Sequence, residues 1–421
     1  MPVNPSNKRL RKAKNLNNYG APYGGFGFGL PSKIGNRFRM FNLHQKKCHV
    51  YEDIYKEWKW KLLDTITNAH GNNFGKFFVS SYNANVIVII APDFEKNINA
   101  NQVKVGKIFF YEFNDNTATY NITHSIEGDY TTRYTNPGMR RLDISNDGST
   151  VIITSTHFTN NAGTLPARCR IFKKNNNSWI QHSEIIAPKL DSLYCCISGD
   201  GNRVALSNGG NIVNGSSDGL VHIYKPDNAT WIQHGTTIDS GAITTGFGTS
   251  MSFNGDGSTI VIGSSKVNGY VKIYNFINDW TLHTTINSTS LEFGLSVDID
   301  DNAEWIVISD HNNSRCVIYK YGPSSKTWDE YDTIHIPGQL TKNNVSISND
   351  KKIILADHTN NNGYFIIYKL DSSNKWIIDK SYTYGTVAGQ ELGTFSLINS
   401  KGNTAIVSDS NENIQFYKFG L

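Results

Sequence analysis

Residues 247–286 read FGTSMSFNGDGSTIVIGSSKVNGYVKIYNFINDWTLHTTI, and this stretch decides the fold. Four runs rich in β-branched and aromatic residues are separated by turn signals. FGTSMSF from Phe247 runs into Asn254-Gly255-Asp256-Gly257, and TIVIGS from Thr259 into the loop SKVNG. YVKIYNF from Tyr270 is followed by Ile277-Asn278-Asp279, and WTLHTTI from Trp280 completes the set. Short runs with partial period-two alternation, divided by Gly, Asn and Asp, are the mark of strands joined by tight turns. The stretch therefore predicts a four-stranded antiparallel meander, the size of one propeller blade.

The unit recurs. The aromatic residue that opens each fourth strand falls at Trp60, Tyr120, Trp179, Trp231, Trp280, Trp328 and Trp376, with spacings of 60, 59, 52, 49, 48 and 48 residues. The third strands align too: KIFFYEF from Lys107, RCRIFKK from Arg168, LVHIYKP from Leu220, RCVIYKY from Arg315, YFIIYKL from Tyr364 and IQFYKFG from Ile414. After Trp376 the chain supplies LGTFSLI, NTAIVSD and IQFYKF and then stops, with no Trp strand. At the other end, WKLLDTI from Trp60 precedes the first three-strand set without partners of its own. Three strands from one end and one from the other complete a seventh blade, and a ring so closed leaves no unpaired edge at the seam. The expectation is an all-β chain: a seven-bladed β-propeller over 58–421, four antiparallel strands per blade, preceded by an extended basic arm over 1–57.

Bulk composition agrees. Hydrophobic residues make up 38% of the 421 and aromatics 12%, enough for thin cores between blades. No apolar run is long enough to span a bilayer as a helix, so no membrane partner is expected, and the first residues lack the apolar core of a secretory signal. The five cysteines (Cys48, Cys169, Cys195, Cys196 and Cys316) are odd in number and form no CxxC pair, which favours plain packing in a reducing compartment. The Asn-x-Ser/Thr triplets at Asn121, Asn214, Asn228 and Asn287 are read as chance in so Asn-rich a chain.

Charge is divided sharply. Residues 1–51 hold ten Lys/Arg and no Asp or Glu; from totals of 40 and 36, the rest keeps 30 basic against 36 acidic residues, a net −6. The arm also carries Pro2, Pro5, Pro22, Pro31 and the run Tyr23-Gly-Gly-Phe-Gly-Phe-Gly29, with no sustained apolar period, so it cannot bury enough surface to fold alone. Three readings stand beside one another. The arm orders on a protein partner through Lys8, Arg9, Arg11, Lys12, Phe26, Phe28, Arg37, Arg39 and Phe41, with Phe38 and Met40 as further anchors; it neutralises nucleic-acid phosphates; or it is a solvated tail or transit-like leader, the latter disfavoured by low Ser content. The glycine run lacks GK[ST] and is not a phosphate loop.

Within the ring, candidate chemistry reduces to structure. Asn146-Asp147-Gly148, Gly199-Asp200-Gly201 and Gly255-Asp256-Gly257 supply the positive-φ residues of tight turns. Asp298-Ile-Asp300-Asp301-Asn302-Ala303-Glu304 approaches a calcium loop, but Ala303 stands at the hinge glycine and Asp298 aligns with the strand residue Ser252. His182, His234 and His283 each lie three residues after a blade Trp; on outer strands they spread around the rim and cannot converge on one metal. The marker rings are expected to fill the gaps between sheets, with their N–H groups on loop carbonyls. The first strands bring Ser80, Ser145, Ser198, Ser250, Ser296 and Ser346 toward the channel, with no paired carboxylates and no Ser/His/Asp set. No catalytic residue, metal ligand or cofactor is assigned.

The unit FG-x-S, then IVIGS, GYVKIY and W-I-Q-H-G resembles FG-GAP-like propeller repeats. It is closer still to the W-x-Q-x-G repeats of marine microbes and of large DNA viruses of algae and protists. Phe74-Gly75, Phe247-Gly248 and Phe293-Gly294 keep the FG pair; Trp179-Ile-Gln181 and Trp231-Ile-Gln233-His-Gly235 keep the Trp motif. The aspartate-rich calcium loops of integrin-type blades are absent, so metal dependence is not carried over. The resemblance and the Asn/Lys/Ile/Tyr-rich composition imply a non-enzymatic virion component, a minor capsid protein made in the host cytoplasm. Its arm would contact other capsid proteins or the genome. The alternatives are an intracellular scaffold or carbohydrate-binding propeller of a cellular microbe, and an enzyme with a site at the channel mouth.

Overall fold

The computed structural model describes residues 37–42, 47–52 and 59–420. Within the last span it omits 68–69, 99–100, 129–141, 156–157, 161–162, 166–167, 177, 187–193, 210–218, 242–245, 265–268, 337–344 and 359–361. Among these residues secondary structure is β throughout, apart from one 3-10 turn at His311–Asn313.

The deciding stretch folds as read: Phe247–Phe253, Thr259–Ser264, Tyr270–Phe276 and Trp280–Asn287 form one antiparallel sheet in sequence order. Six more sheets are built alike, so the ring holds seven blades of four strands, numbered in chain order from blade 1 at Phe77–Glu127 to blade 7 opening at Ser396; the deciding stretch is blade 4. In blade 3 the outer strand is split into Thr230–Gln233 and Ile238–Asp239, both paired with Leu220–Asp227. The seam closes as expected. Trp60–Ile66 pairs antiparallel with Ile414–Phe419, from Trp60 opposite Phe419 to Ile66 opposite Ile414, and completes the sheet begun by Ser396–Ile398 and Thr404–Ser408.

Each second strand is sandwiched between neighbouring sheets and reads as a continuous apolar run rather than an alternating one. Val86–Ala91, Thr259–Ser264, Trp305–Asp310 and Lys352–Asp357 are buried at every position. The core lies between blades: Ile152, Ile171, Ile197, Val204, Leu206 and Trp231 fill the gap from blade 2 to blade 3, for example. All seven marker rings are buried, none more than 9% exposed. Tyr120 of blade 1 stacks on Phe416 of blade 7 at 4.1 Å, and Trp179 of blade 2 on Phe110 of blade 1 at 4.6 Å.

The FG pair has a clear cause. Gly75, Gly248 and Gly294 all have φ near +80°, and a Cβ on Gly248 would stand 2.5 Å from Ser207 Oγ of the preceding blade. Only glycine lets the first strand approach its neighbour so closely in that conformation. Leu392-Gly393 does the same work in blade 7, where a Cβ would meet Ala356 at 2.9 Å.

Three hairpins were not anticipated. Two lie between second and third strands: Glu95–Ile98 with Asn101–Lys104 in blade 1, and Phe158–Asn160 with Gly163–Leu165 in blade 2. The third lies within the segment read as an arm. Arg37–Asn42 pairs antiparallel with Lys47–Glu52, and residues 1–58 separate from the ring as a distinct unit. Both six-residue runs contain aromatic or β-branched residues suited to strands; two strands pair without the sustained apolar period that the arm lacks.

Candidate functional site: the axial channel and the blade rims

The seven first strands converge on an axial channel, and the turn after each is built alike. At one place per blade a side-chain oxygen accepts a backbone N–H four or five residues on. Val86 donates to Ser81, Thr150 to Ser145, Arg203 to Ser198, Thr259 to Asn254, Trp305 to Asp300, Lys352 to Ser348 and Thr404 to Asn399. Three residues past that oxygen comes a left-handed residue: Gly148, Gly201, Gly257 and Gly402 where glycine is present, and Ala84, Ala303 and Lys351 where it is not. The intervening aspartates tighten the turn. Asp147 accepts Ser145 Oγ at 2.5 Å and Ser149 N at 2.9 Å. Burial raises the carboxyl pKa of Asp147, but these bonds outweigh it and hold the group below its ordinary value; Asp256 behaves likewise through Ser258 and Asn254.

A belt of hydrogen bonds links these turns around the axis. Tyr82 N–H donates to Asn146 O, Asn146 N–H to Gly199 O, Asp200 N–H to Gly255 O and Gly255 N–H to Asp301 O. Asp301 N–H then donates to Asn349 Oδ1, Asn349 N–H to Ser400 O, and Lys401 N–H back to Tyr82 O. The circle is complete across all seven blades. At its centre Asp301 Oδ2 accepts Nδ2 of Asn146 at 2.9 Å and of Asn349 at 2.6 Å, which draws blades 2, 5 and 6 together across the axis.

Two contiguous spaces lie inside. One, of about 160 Å³, is lined by Phe77, Phe78, Leu142, Met251, Val345 and Phe395 together with polar groups. The other, of about 120 Å³, lies against the belt and is bounded almost wholly by polar atoms, with Asp143, Asp298, Asp300 and Asp301 in its wall. Carboxylates on the channel wall were not anticipated. They are legible only once the register places Asp143 and Asp298 where other blades have Val79, Cys196, Ser252, Ser346 and Leu397. Asp298 accepts Ser252 Oγ at 2.8 Å and Ile347 N at 3.0 Å; Asp143 accepts Ile197 N at 2.9 Å. Each carboxylate thus ties its own blade to the next. Of the six serines expected near the channel, Ser80 and Ser346 line it, whereas Ser145 and Ser198 cap turns, Ser250 bonds Gly294 O of the next blade, and Ser296 is buried with its N–H on Ser309 Oγ.

Asp300 differs from every residue at its place. It is 2% exposed; Oδ1 accepts the Glu304 and Trp305 N–H groups, and Oδ2 is buried without a partner. Burial pushes its pKa up to about 6, against the pull of the two N–H groups and Lys351 and with some help from the Glu304 charge.

At the rim, the third residue after each marker interrupts the ladder. The bulge falls on Leu63, Thr123, His182, His283, Tyr331 and Asp379, and in blade 3 the strand breaks at His234. Bulged edge strands twist away from pairing with other chains. The three histidines are therefore bulge residues of blades 2, 3 and 4 with separate surroundings. His234 packs tilted against Phe276 at 4.0 Å and its pKa is lowered by burial first and then by Arg203 and Lys225, while His182 is exposed beside Ser183. Among the described residues no group of three His, Cys, Asp or Glu is disposed to hold a metal.

The bulge residue also serves the next blade: Trp280 Nε1 donates to His234 O at 2.9 Å, and Trp60 Nε1 to Asp379 Oδ2 at 2.8 Å. The expected loop carbonyl is thus met at Trp280 and replaced by a carboxylate at Trp60. Trp179, Trp231 and Trp376 depart from the expectation, for their N–H groups are buried without partners. Burial pushes the Cys169 and Cys316 thiols up to about 12, which makes them packing groups rather than nucleophiles.

Of the N-terminal residues assigned to partner binding, Arg37, Arg39 and Phe41 lie on the first hairpin strand, opposite Glu52, Val50 and Cys48. Lys8, Arg9, Arg11, Lys12, Phe26 and Phe28 fall outside the described residues.

Ring, seam and channel together define a seven-bladed β-propeller closed by its own N-terminal strand. No protein-family model matches the chain, and no curated protein does. In fold it is similar to the crystal structure of a functionally unknown protein from Desulfotomaculum acetoxidans DSM 771. The two share 13% identity with a TM-score of 0.55 over 84% of this chain and 96% of that one. Likeness at that identity extends to the fold alone.

Proposed function

We propose that this chain is a non-catalytic assembly protein, a minor virion component of a large DNA virus, in which the ring is the rigid body and residues 1–57 are the tether. The observation that carries this reading is the charge split: ten basic residues and no acidic one in residues 1–51, ahead of a ring of net −6. Such a segment is drawn to acidic surfaces and gains specificity from its aromatic residues as it orders. Lys8, Arg9, Arg11, Lys12, Arg37 and Arg39 supply the attraction, and Phe26, Phe28 and Phe41 the anchors. The partners are other capsid proteins; nucleic acid is the other polyanion such a segment would take.

The ring half of the reading is supported by what its axial groups do. Asp143, Asp298 and Asp301 hold neighbouring blades together, so their acceptor capacity serves closure. The virion setting rests on the repeat resemblance and the Asn-rich composition. Mass spectrometry of purified particles tests it: the chain should be present at defined stoichiometry, and recovery only from soluble host fractions would refute it. Removing residues 1–50 should abolish co-purification with capsid proteins while leaving the thermal transition of the ring in place.

A further inference from the structure

We propose that the rim between blades 3 and 4 is a docking surface for an acidic peptide segment of another protein. An apolar side chain of that segment lies over Ile232 and Leu282, and its carboxylate meets Lys225 and Arg203. This inference stands apart from the tether and from the virion setting.

The apolar half follows from alternation along the outer strands. Trp231 turns toward blade 2, so Ile232 turns toward blade 4. Trp280 turns toward blade 3, and Leu282, two residues on in an unbroken ladder, turns with it. The two strands adjoin there, since Trp280 Nε1 reaches His234 O at 2.9 Å. Ile232 is 41% exposed and Leu282 46%, and Ile277, in the turn before Trp280, is 73% exposed. At five of the seven junctions at least one of the two equivalent places is polar, as with Asp329 and Glu330 of blade 5. Only between blades 6 and 7 are both again apolar, as Ile377 and Leu62.

Blade 6 shows what the charged half lacks. Lys352 stands opposite Lys369 and Lys369 opposite Ile377, a row of two cations beside the exposed isoleucine. Both are neutralised within the ring: Lys352 Nζ by Asp350, and Lys369 Nζ by the bulge residue Asp379 at 2.7 Å. Blade 3 repeats the row. Lys225 stands opposite Ile232, and Arg203, at the place of Lys352, turns toward blade 4, where a Cβ on Gly257 would meet its Cγ. But the bulge residue here is His234, and Asp200, at the place of Asp350, is bonded to Ser198 and Asn202. Arg203 Nη1 donates to Asn202 O, and among the described residues no carboxylate lies within ion-pair distance of Arg203 or Lys225. Asp279, the acid on the blade 4 side, is taken up by Thr236 and the Trp280 N–H. Burial lowers the His234 pKa first and both cations lower it further, which puts them beside its ring. Two unpaired cations next to exposed apolar side chains fit a carboxylate flanked by large apolar residues. Residues 1–51 are not that partner, for they hold ten Lys/Arg and no Asp or Glu.

The test uses the full chain and a fluorescein-labelled peptide, Leu-Glu-Leu-Glu-Leu, followed by fluorescence anisotropy at pH 7.5. Saturable binding is expected, and it should weaken about tenfold or more when Gln replaces both Glu, or Ser all three Leu. Lys225→Gln and Ile232→Thr should each weaken it by about tenfold. The second of these folds by precedent, because Thr281 holds that place in blade 4. His234→Asp supplies the carboxylate that blade 6 carries as Asp379, so it should abolish binding without lowering Tm. Ile377→Thr, at the junction whose cations are already paired, should leave binding unchanged. Absence of saturable binding, equal binding of the Gln peptide, undiminished affinity in both Lys225→Gln and His234→Asp, or an equal loss in Ile377→Thr would overturn the assignment. So would self-association of the chain alone that Lys225→Gln abolishes, because the acids would then come from a second copy, whose blade 5 edge carries Asp329, Glu330 and Asp332.

Discussion

Blades 4 and 5 are neighbours of near-identical spacing that make the same turn with different residues. In blade 4 the turn runs Asn254-Gly255-Asp256-Gly257, an amide cap and a glycine at the left-handed position. In blade 5 it runs Asp300-Asp301-Asn302-Ala303, a buried acid and an alanine at φ +53°. Backbone hydrogen bonds are nearly the same in both, since Asn254 and Asp300 each accept the N–H five residues on. Local geometry is therefore fixed by the fold, while ionisation and strain vary from blade to blade. Blade 4 satisfies each local demand; blade 5 departs from it with a buried acid at the cap and an alanine in the left-handed position.

The largest effect should separate two tryptophans. Trp280 of blade 4 is buried and donates to His234 O, while Trp305 of blade 5 is 1% exposed with its N–H unpartnered. Truncating either to Ala removes a buried ring at a site between blades and should cost about 3–5 kcal/mol by denaturant titration. Trp231→Ala belongs to the same class. Replacement by Phe sharpens the contrast. Trp280→Phe leaves the His234 carbonyl without its donor and should cost about 1 kcal/mol more than Trp305→Phe, which removes an unsatisfied group. Equal losses for the two Phe variants would show that the observed bond adds nothing.

This contrast also marks how much the sequence disclosed. Strand positions and the seam were readable because apolar runs, turn residues and marker rings repeat with a nearly fixed spacing. The bulges were not, because Leu63, Thr123, His182, His234, His283, Tyr331 and Asp379 share a position and no chemistry. What they have in common is a place in the ladder, three residues past the marker, and that needs pairing partners to be seen. The belt was hidden for a related reason. It is made mostly by backbone groups of residues as unlike as Tyr82, Gly255 and Asp301. The axial acids needed register: Asp298 could be aligned with Ser252 by sequence, but the bond between them, and the channel they border, appear only when the sheets are assembled.

The next effect in size turns on pH. The folded pKa of Asp300 is about 6, against an ordinary 3.8. A raised carboxyl pKa means that the folded state binds the proton more tightly than the unfolded chain. The protonated form is therefore favoured on folding below about pH 4, and this contribution is lost as pH rises through 6. The ionised group then costs up to roughly 3 kcal/mol at neutral pH. Asp300→Asn should accordingly stabilise the protein, by little at pH 4 and progressively more toward pH 7.5. Asn254 titrates in neither state, so Asn254→Ser in blade 4 should shift stability by a pH-independent amount. Thermal denaturation of both variants at matched ionic strength between pH 4 and 7.5 checks this. A pH-independent gain for Asp300→Asn would place the buried charge elsewhere.

The smallest effect concerns the last residue of the same turns. A left-handed conformation costs a residue with a Cβ about 1–2 kcal/mol, and glycine gives part of that back through its larger unfolded-state entropy. Ala303→Gly should therefore stabilise by no more than about 1 kcal/mol. The converse change in blade 4 is not its mirror image. A Cβ on Gly257 would stand 2.6 Å from Arg203 Cγ and 2.9 Å from Ser198 Cβ of blade 3, so Gly257→Ala adds crowding to dihedral strain. It should cost about 1–3 kcal/mol. The asymmetry comes from the neighbouring blade, not from the turn itself. Replacing Arg203 with Ala clears the 2.6 Å contact but leaves Ser198 Cβ at 2.9 Å, so in that background the cost of Gly257→Ala should fall yet stay above the backbone term. Additive losses in the double variant would show that the crowding relaxes at no cost and that strain in these turns is purely local.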